Sequence, residues 1–313
     1  MRSTLLIVLA ALLAGGCATA EGAWQRLPSA PDQRSEVAAA RAGARIVVAG
    51  GLTADGRPSA RVDAYDIRRR AWTRLRDLPH PVDHAMAASR GDVVYVIGGY
   101  RESGPRRRAS RDAYALEDGR WRALPRMPGA RAAGGAAVVR NTLYAVAGVA
   151  GPGGGQLLER SFALDLRTGR WRSLAGPPTP REHLGVAALG GLVYALGGRT
   201  AGLSTNLASA EVYDPRRRRW SRLPDMPTAR GGTAAGSAGG LVVSGGGEGE
   251  DGTFREAEAF DPATRRWRSL PADPLPRHGL GAVGVGRRVY AVMGGPVPGL
   301  SVSGTLLGLS VRR

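Results

Sequence analysis

Six tryptophans divide this chain into nearly equal parts, and no other feature constrains its fold so tightly. They stand at Trp24, Trp72, Trp121, Trp171, Trp220 and Trp267, so successive spacings are 48, 49, 50, 49 and 47 residues. Glycine pairs keep step with them at Gly50-Gly51, Gly98-Gly99, Gly197-Gly198, Gly245-Gly246 and Gly294-Gly295, with Ala147-Gly148 in the remaining place. An aromatic side chain precedes five of the tryptophans, at Tyr65, Tyr114, Phe162, Tyr213 and Phe260. Three registered series at one period of roughly 50 residues mark an internal repeat, whose units bury their apolar faces by stacking on their neighbours.

Each unit has room for four short strands. In the fourth unit these are expected at 183–189, 192–197, 208–214 and 220–223. Glu211-Val212-Tyr213-Asp214 alternates as a half-buried strand does, and Asp214-Pro215 and Leu223-Pro224 supply turns. With 47 glycines scattered along the chain, long helices are excluded. A four-stranded unit of this length is a propeller blade. The expected fold is therefore all-β, a six-bladed propeller with four antiparallel strands per blade. The blades fall at about 34–75, 82–124, 131–174, 181–223, 230–270 and 277–311. The last unit has no tryptophan strand, whereas 24–27 is a fourth strand with no blade before it. The N-terminal strand is expected to complete the last blade, which removes the open sheet edges.

The glycine pair, the Tyr213-Asp214-Pro215 type of third strand and the tryptophan of the fourth strand resemble the Kelch-repeat family, over residues 24–311. The resemblance implies the propeller fold. It leaves function open, because Kelch propellers include binding scaffolds and unrelated enzymes.

Residues 1–20 read as an export signal. Arg2 gives a positive start, and the apolar run 5–14 is too short to span a bilayer. Leu13-Ala14-Gly15-Gly16-Cys17 resembles a bacterial lipobox, with alanine where leucine is preferred, and Ala18-Thr19-Ala20 fits ordinary signal peptidase. The expectation is lipidation at Cys17 and a propeller domain over 21–313, exported and either anchored at the cell envelope or free in the periplasm or outside. Cys17 is the only cysteine, so the propeller has neither a disulfide nor a thiolate metal site, and no cofactor is expected. The net charge is +18 and every basic residue is arginine. With no RNA- or DNA-binding motif beside it, this charge does not indicate a nucleic-acid partner. A monomer is expected.

In an antiparallel meander, the one–two and three–four turns lie on one face, and the two–three loops and interblade links on the other. Functional groups in such folds cluster on loops at a channel mouth. The links carry Arg34, Arg131, Arg181, Arg230 and Arg277, with Val82 in blade two. Such a ring suits carboxylates or phosphates and implies an acidic small molecule, an acidic glycan or a protein as ligand; alternatively, each arginine braces its own loop. Glu248 and Arg255 in the fifth blade distantly resemble the acid and the arginine of a six-bladed Kelch enzyme, the periplasmic sialic-acid mutarotase (N-acetylneuraminate epimerase), although the long inserted segment of that enzyme is absent. That resemblance implies Glu248 as acid–base and Arg255 as carboxylate partner. His84, His183 and His278, on alternate blades, are candidates for a metal on the axis, but His278 lies 16 positions ahead of its glycine pair where the others lie 14, so the expectation is no metal and a polar lining of a wet channel. The opposite face gathers Arg68-Arg69-Arg70, 216–219 and Arg265-Arg266, either solvated turns or a surface for anionic head groups. The leading expectation is a cell-envelope binding module; a mutarotase-like isomerase and a structural envelope protein are the alternatives.

Overall fold

The computed structural model describes residues 22–102, 104, 107–151 and 155–313; the segment expected to be an export signal and Cys17 lie outside the described residues. Six four-stranded antiparallel sheets surround a central channel. Blade one comprises Ala38–Ala42, Arg45–Ala49, Val62–Asp66 and Ala71–Arg74, and blade two Met86–Arg90, Val93–Ile97, Ala113–Glu117 and Arg120–Ala123. Blade three comprises Gly135–Val139, Thr142–Val146, Arg160–Asp165 and Arg170–Ala175, and blade four Gly185–Leu189, Leu192–Leu196, Ala210–Asp214 and Arg219–Arg222. Blade five is built of Ala234–Ala238, Leu241–Gly245, Ala257–Asp261 and Arg266–Ser269. Blade six takes Gly281–Val285, Arg288–Val292 and Leu306–Ser310 from the end of the chain and Gln25–Leu27 from its beginning, in the register Gln25↔Gly308, Arg26↔Leu307 and Leu27↔Leu306.

The apolar content of each strand follows its distance from the axis. Second strands such as Val93–Ile97 and Leu192–Leu196 are near-continuous apolar runs because neighbouring blades cover both their faces. Fourth strands are mostly exposed except for the half-buried tryptophan. First strands are rich in alanine and glycine, since six of them converge on the channel. At Gly284, for instance, a Cβ would collide with the backbone of Ser237 in the next blade. The apolar clusters lie between blades: one joins Val47 and Val62 of blade one to Val94 and Val96 of blade two, and another joins Ile46 and Tyr65 to Tyr290 and Leu306 of blade six.

The repeated residues each have a mechanical role. Every tryptophan donates its indole N–H across a blade boundary: Trp72 to Pro28 O (2.8 Å), Trp121 to Arg76 O (2.8 Å), Trp171 to Pro125 O (2.7 Å), Trp220 to Ala175 O (3.0 Å) and Trp267 to Pro224 O (2.8 Å). Trp24 donates to Pro271 O (2.8 Å) and closes the circle. The third-strand aromatic packs on the tryptophan of its own blade, as Tyr65 on Trp72 at 5.3 Å and Phe260 on Trp267 at 5.2 Å between ring centres. The aspartate after that aromatic caps the outer hairpin: Asp214 Oδ1 accepts from the N–H groups of Arg216 and Arg217, and Asp66 Oδ1 from those of Arg68 and Arg69.

The glycine pair is a pair of left-handed residues at the end of the second strand. It falls at Gly50-Gly51, Gly98-Gly99, Ala147-Gly148, Gly197-Gly198, Gly246-Gly247 and Met293-Gly294. In blade five it therefore lies one residue later, and in blade six one residue earlier, than the glycine pairs of the sequence suggest, because further glycines flank both turns. The second residue of each pair donates its N–H to the link of the next blade: Gly51 to Val82 O, Gly99 to Arg131 O, Gly148 to Arg181 O, Gly198 to Arg230 O, Gly247 to Arg277 O and Gly294 to Arg34 O. Trp24→Phe keeps most of the ring contact and deletes one closing hydrogen bond. It is expected to lower the stability by about 1 kcal/mol in urea denaturation, and an unchanged midpoint would deny the indole its closing role.

Candidate functional site

The five link arginines do not line the mouth. Their side chains are fully buried inside the blades, which corrects the anion ring expected at Arg34, Arg131, Arg181, Arg230 and Arg277. The left-handed turn leaves carbonyl oxygens pointing into the blade without ladder partners, and a guanidinium has enough donors to serve several at once. Arg34 donates to Gly50 O (2.5 Å) and Arg61 O (2.8 Å) and pairs with Asp63 (2.7 Å). Arg277 donates to Met293 O (2.8 Å) and Thr305 O (3.1 Å) beside Asp273. Arg181 is paired with Glu211, and Arg230 with Glu258. Among the described residues Arg131 has no such carboxylate: it donates to Ala147 O and Arg160 O, its guanidinium lies 4.7 Å from the Phe162 ring, and burial pulls its pKa down to about 10.

The mouth is formed by the residue two places after each link position: Glu36, His84, Ala133, His183, Gly232 and Gly279. All six are left-handed, with φ of 51°, 50°, 51°, 52°, 68° and 55°. Their backbones form a circle of hydrogen bonds, His84 N–H to Glu36 O, Ala133 to His84, His183 to Ala133, Gly232 to His183 and Gly279 to Gly232, closed by Val37 N–H to Gly279 O. They border a channel cavity of about 150 Å³.

His84 and His183 line this cavity, and the structure gathers them, with His278 behind, on a residue the sequence reading passed over, Glu36. His84 Nε2 is 3.3 Å and His183 Nε2 4.0 Å from Glu36 Oε2, and His278 Nδ1 is 3.2 Å from Glu36 Oε1. The rings of His84 and His183 meet edge to face at 4.9 Å. His278 stands one residue before the ring position of its blade, the place taken by Asp83 and Glu182 in theirs, and so reaches Glu36 from the side. Gly279 makes room for this: a Cβ there would fall on the Glu36 carboxylate. A second tier surrounds the first. Asp83 Oδ1 is 2.5 Å from His84 Nδ1 and 2.8 Å from Arg107, which stacks on Tyr100 at 3.8 Å and also lies 2.8 Å from His84 Nδ1. Glu182 Oε1 is 3.1 Å from His183 Nδ1 and 3.2 Å from Arg199.

Burial alone would raise the Glu36 pKa, but the charges of His84, His183 and His278, with a hydrogen bond from His278, hold it well below the usual carboxylate range. Burial lowers the pKa of His183. For His278 burial acts in the same sense, yet the Glu36 hydrogen bond and charge carry the net shift upward.

Glu248 belongs to this cluster; Arg255 does not. Glu248 is buried, receives Arg199 Nη1 at 2.9 Å and Gly299 N–H at 2.9 Å, and lies 3.6 Å from His278 Nδ1. Arg255 is exposed at the entrance to Ala257–Asp261, so the partner of Glu248 is Arg199. Asp83, Arg107, Glu182 and Arg199 also went unread in the sequence. One signal would have found Glu36: like His84 and His183, it stands 14 positions ahead of the glycine pair of its own blade.

A six-bladed meander with the glycine pair, the capping aspartate and the stapling tryptophan defines a Kelch-type propeller. Residues 84–295 match the model of the KLHDC2/KLHL20/DRC7 Kelch-repeats domain and residues 33–79 match the Kelch motif; the chain belongs to the Kelch-repeat family. It is 35% identical over 131 residues to human Kelch-like protein 34, covering 40% of this chain and 20% of that protein. It is 33% identical over 138 residues to bovine Kelch domain-containing protein 8B, covering 41% and 39%. Against Kelch-like protein terF of Aspergillus terreus it is 33% identical over 135 residues, covering 40% and 29%. The matched stretches thus span well under half of each relative.

If the link arginines brace the blades, deleting one acid partner must be costly. Glu211→Ala leaves Arg181 buried without its countercharge and is expected to destabilise the domain by about 3–5 kcal/mol. Arg181→Met combined with Glu211→Leu should recover most of that loss in the same denaturation series, because no charge is then left unpaired. Equal stability of Glu211→Ala and the wild type would return Arg181 to the mouth.

Proposed function

We propose that this propeller is a protein-interaction module that docks an apolar side chain of its partner on the loop face beside the channel mouth. The observation that carries this reading is the position of its exposed apolar side chains. Among the described residues the large ones are Leu275, Val297 (57% exposed) and Leu300 (55% exposed). All three lie on links or two–three loops of the mouth face. Thr253 Oγ1 lies 3.4 Å from Pro276 O and 3.0 Å from Pro296 O, so the link bearing Leu275 and the loop bearing Val297 meet at one side chain. Scattered apolar side chains are ordinary on a protein surface, but three gathered at the functional end of a propeller are a contact surface. Kelch kinship supports a protein partner. The acidic-ligand reading loses the arginines that carried it, and the isomerase reading loses the pairing of Glu248 with Arg255.

Crosslinking in the native cell extract tests the docking face. Val297→Asp with Leu300→Asp is expected to abolish a specific adduct that the wild type forms, while Arg217→Asp on the opposite face leaves it intact. An adduct indifferent to the first pair of changes removes this face as the contact.

We also propose, from the apolar run 5–14 and the Leu13-to-Cys17 segment, that the module works at the cell envelope. Mass spectrometry of the purified protein is expected to find a diacylglyceryl-modified Cys17 as the first residue; an unprocessed Met1 would overturn export.

A further inference from the structure

We propose that Glu36, His84 and His183 hold a divalent first-row transition-metal ion at the mouth of the channel. The site is independent of the docking surface. One carboxylate oxygen and two imidazole nitrogens of these residues lie within 4.8 Å of one another. With metal–ligand distances of about 2.0–2.1 Å, donors in a tetrahedral site sit roughly 3.3 Å apart. His84 Nε2 is already at 3.3 Å from Glu36 Oε2, and His183 Nε2 stands at 4.0 Å from the same oxygen.

The surroundings are those of a metal site rather than of a wet polar channel. His84 Nδ1 is hydrogen-bonded to Asp83 Oδ1, the carboxylate of the residue before it, and His183 Nδ1 lies 3.1 Å from Glu182 Oε1 without completing a hydrogen bond. At His84 a carboxylate on Nδ1 favours the tautomer that leaves the Nε2 lone pair free, as in metal-binding histidines. Arg107 and Arg199 in turn fix those two carboxylates. His278, donating to Glu36 Oε1, positions the third ligand.

Charge points the same way. Glu36, Asp83, Glu182 and Glu248 face Arg107 and Arg199, so four carboxylates meet two guanidiniums in a largely buried cluster that favours an added cation. The backbone adds a third argument. The left-handed ring position is filled by glycine in blades five and six and by alanine in blade three, yet Glu36, His84 and His183 occupy it with long side chains despite the conformational cost. Two imidazoles with one carboxylate select zinc or a neighbouring transition metal over calcium or magnesium, which prefer all-oxygen sites. Three protein donors leave a coordination position toward the cavity, open to water or an oxygen-donor ligand.

The test is equilibrium dialysis of the chelator-stripped full chain against zinc chloride and, separately, cobalt chloride. One equivalent of each is expected, with visible absorption from cobalt in a four- or five-coordinate site. His84→Ala and His183→Ala should each abolish binding while circular dichroism stays unchanged. Asp83→Asn, which keeps every direct ligand, should weaken binding about 10- to 100-fold. His80→Ala, at an exposed histidine outside the cluster, should change nothing. Failure to bind either metal at micromolar concentration would overturn the proposal. So would binding that survives both histidine substitutions, or that is lost as readily with His80→Ala.

Discussion

Two concentric circles of backbone hydrogen bonds hold this molecule to its axis. In one, the second residue of each left-handed pair donates to the link of the following blade; in the other, five mouth residues donate to the mouth carbonyl of the blade before them and Val37 closes the circle onto Gly279 O. Both circles need φ above zero at fixed places, which is why glycine marks the repeat so insistently. Without them the six sheets would still have apolar faces to bury, but nothing would set their angular positions. With them, the residue at each mouth position is carried to the same height and radius in every blade. Whatever side chain it bears is then presented to the axis.

The radial layout follows from this. Small first strands allow the sheets to converge, apolar second strands are compressed between neighbours, and the tryptophans tie the rim. The buried arginines belong to the same scheme. They satisfy carbonyl groups that the left-handed turn releases from the ladder, and four of the five carry a carboxylate with them. Blade two does without: Val82 joins the apolar cluster between blades one and two.

The fold was legible in the sequence because its determinants are local and recur. Tryptophan, aspartate and glycine do the same work six times, so spacing alone exposes them. The site was less legible, for two physical reasons. Arginine carries the same charge whether it serves a ligand or a carbonyl inside the blade, and only burial distinguishes the two. The mouth cluster, by contrast, is assembled from single residues of different blades that share nothing but a register position. An uncertainty of one residue in the turn of blade six, where Met293 to Gly295 offer two pairings, was enough to misplace His278, and Glu36 shares only its register position with the histidines, not their residue type. The chemistry of Glu248 was noticed, but Arg199, its partner, comes from the preceding blade and could not be read from a local motif.

The strand that completes blade six also fixes the bearing of the whole domain. A fourth strand runs from the outer-hairpin face toward the mouth face, so the chain enters Gln25–Leu27 from the side opposite the histidines. Gly22 already lies beside Ser310 at that far end. The first strand therefore starts on the side of the arginine-rich hairpins, and the mouth with its histidines opens on the face that is turned away from that start, as a dish faces away from its back.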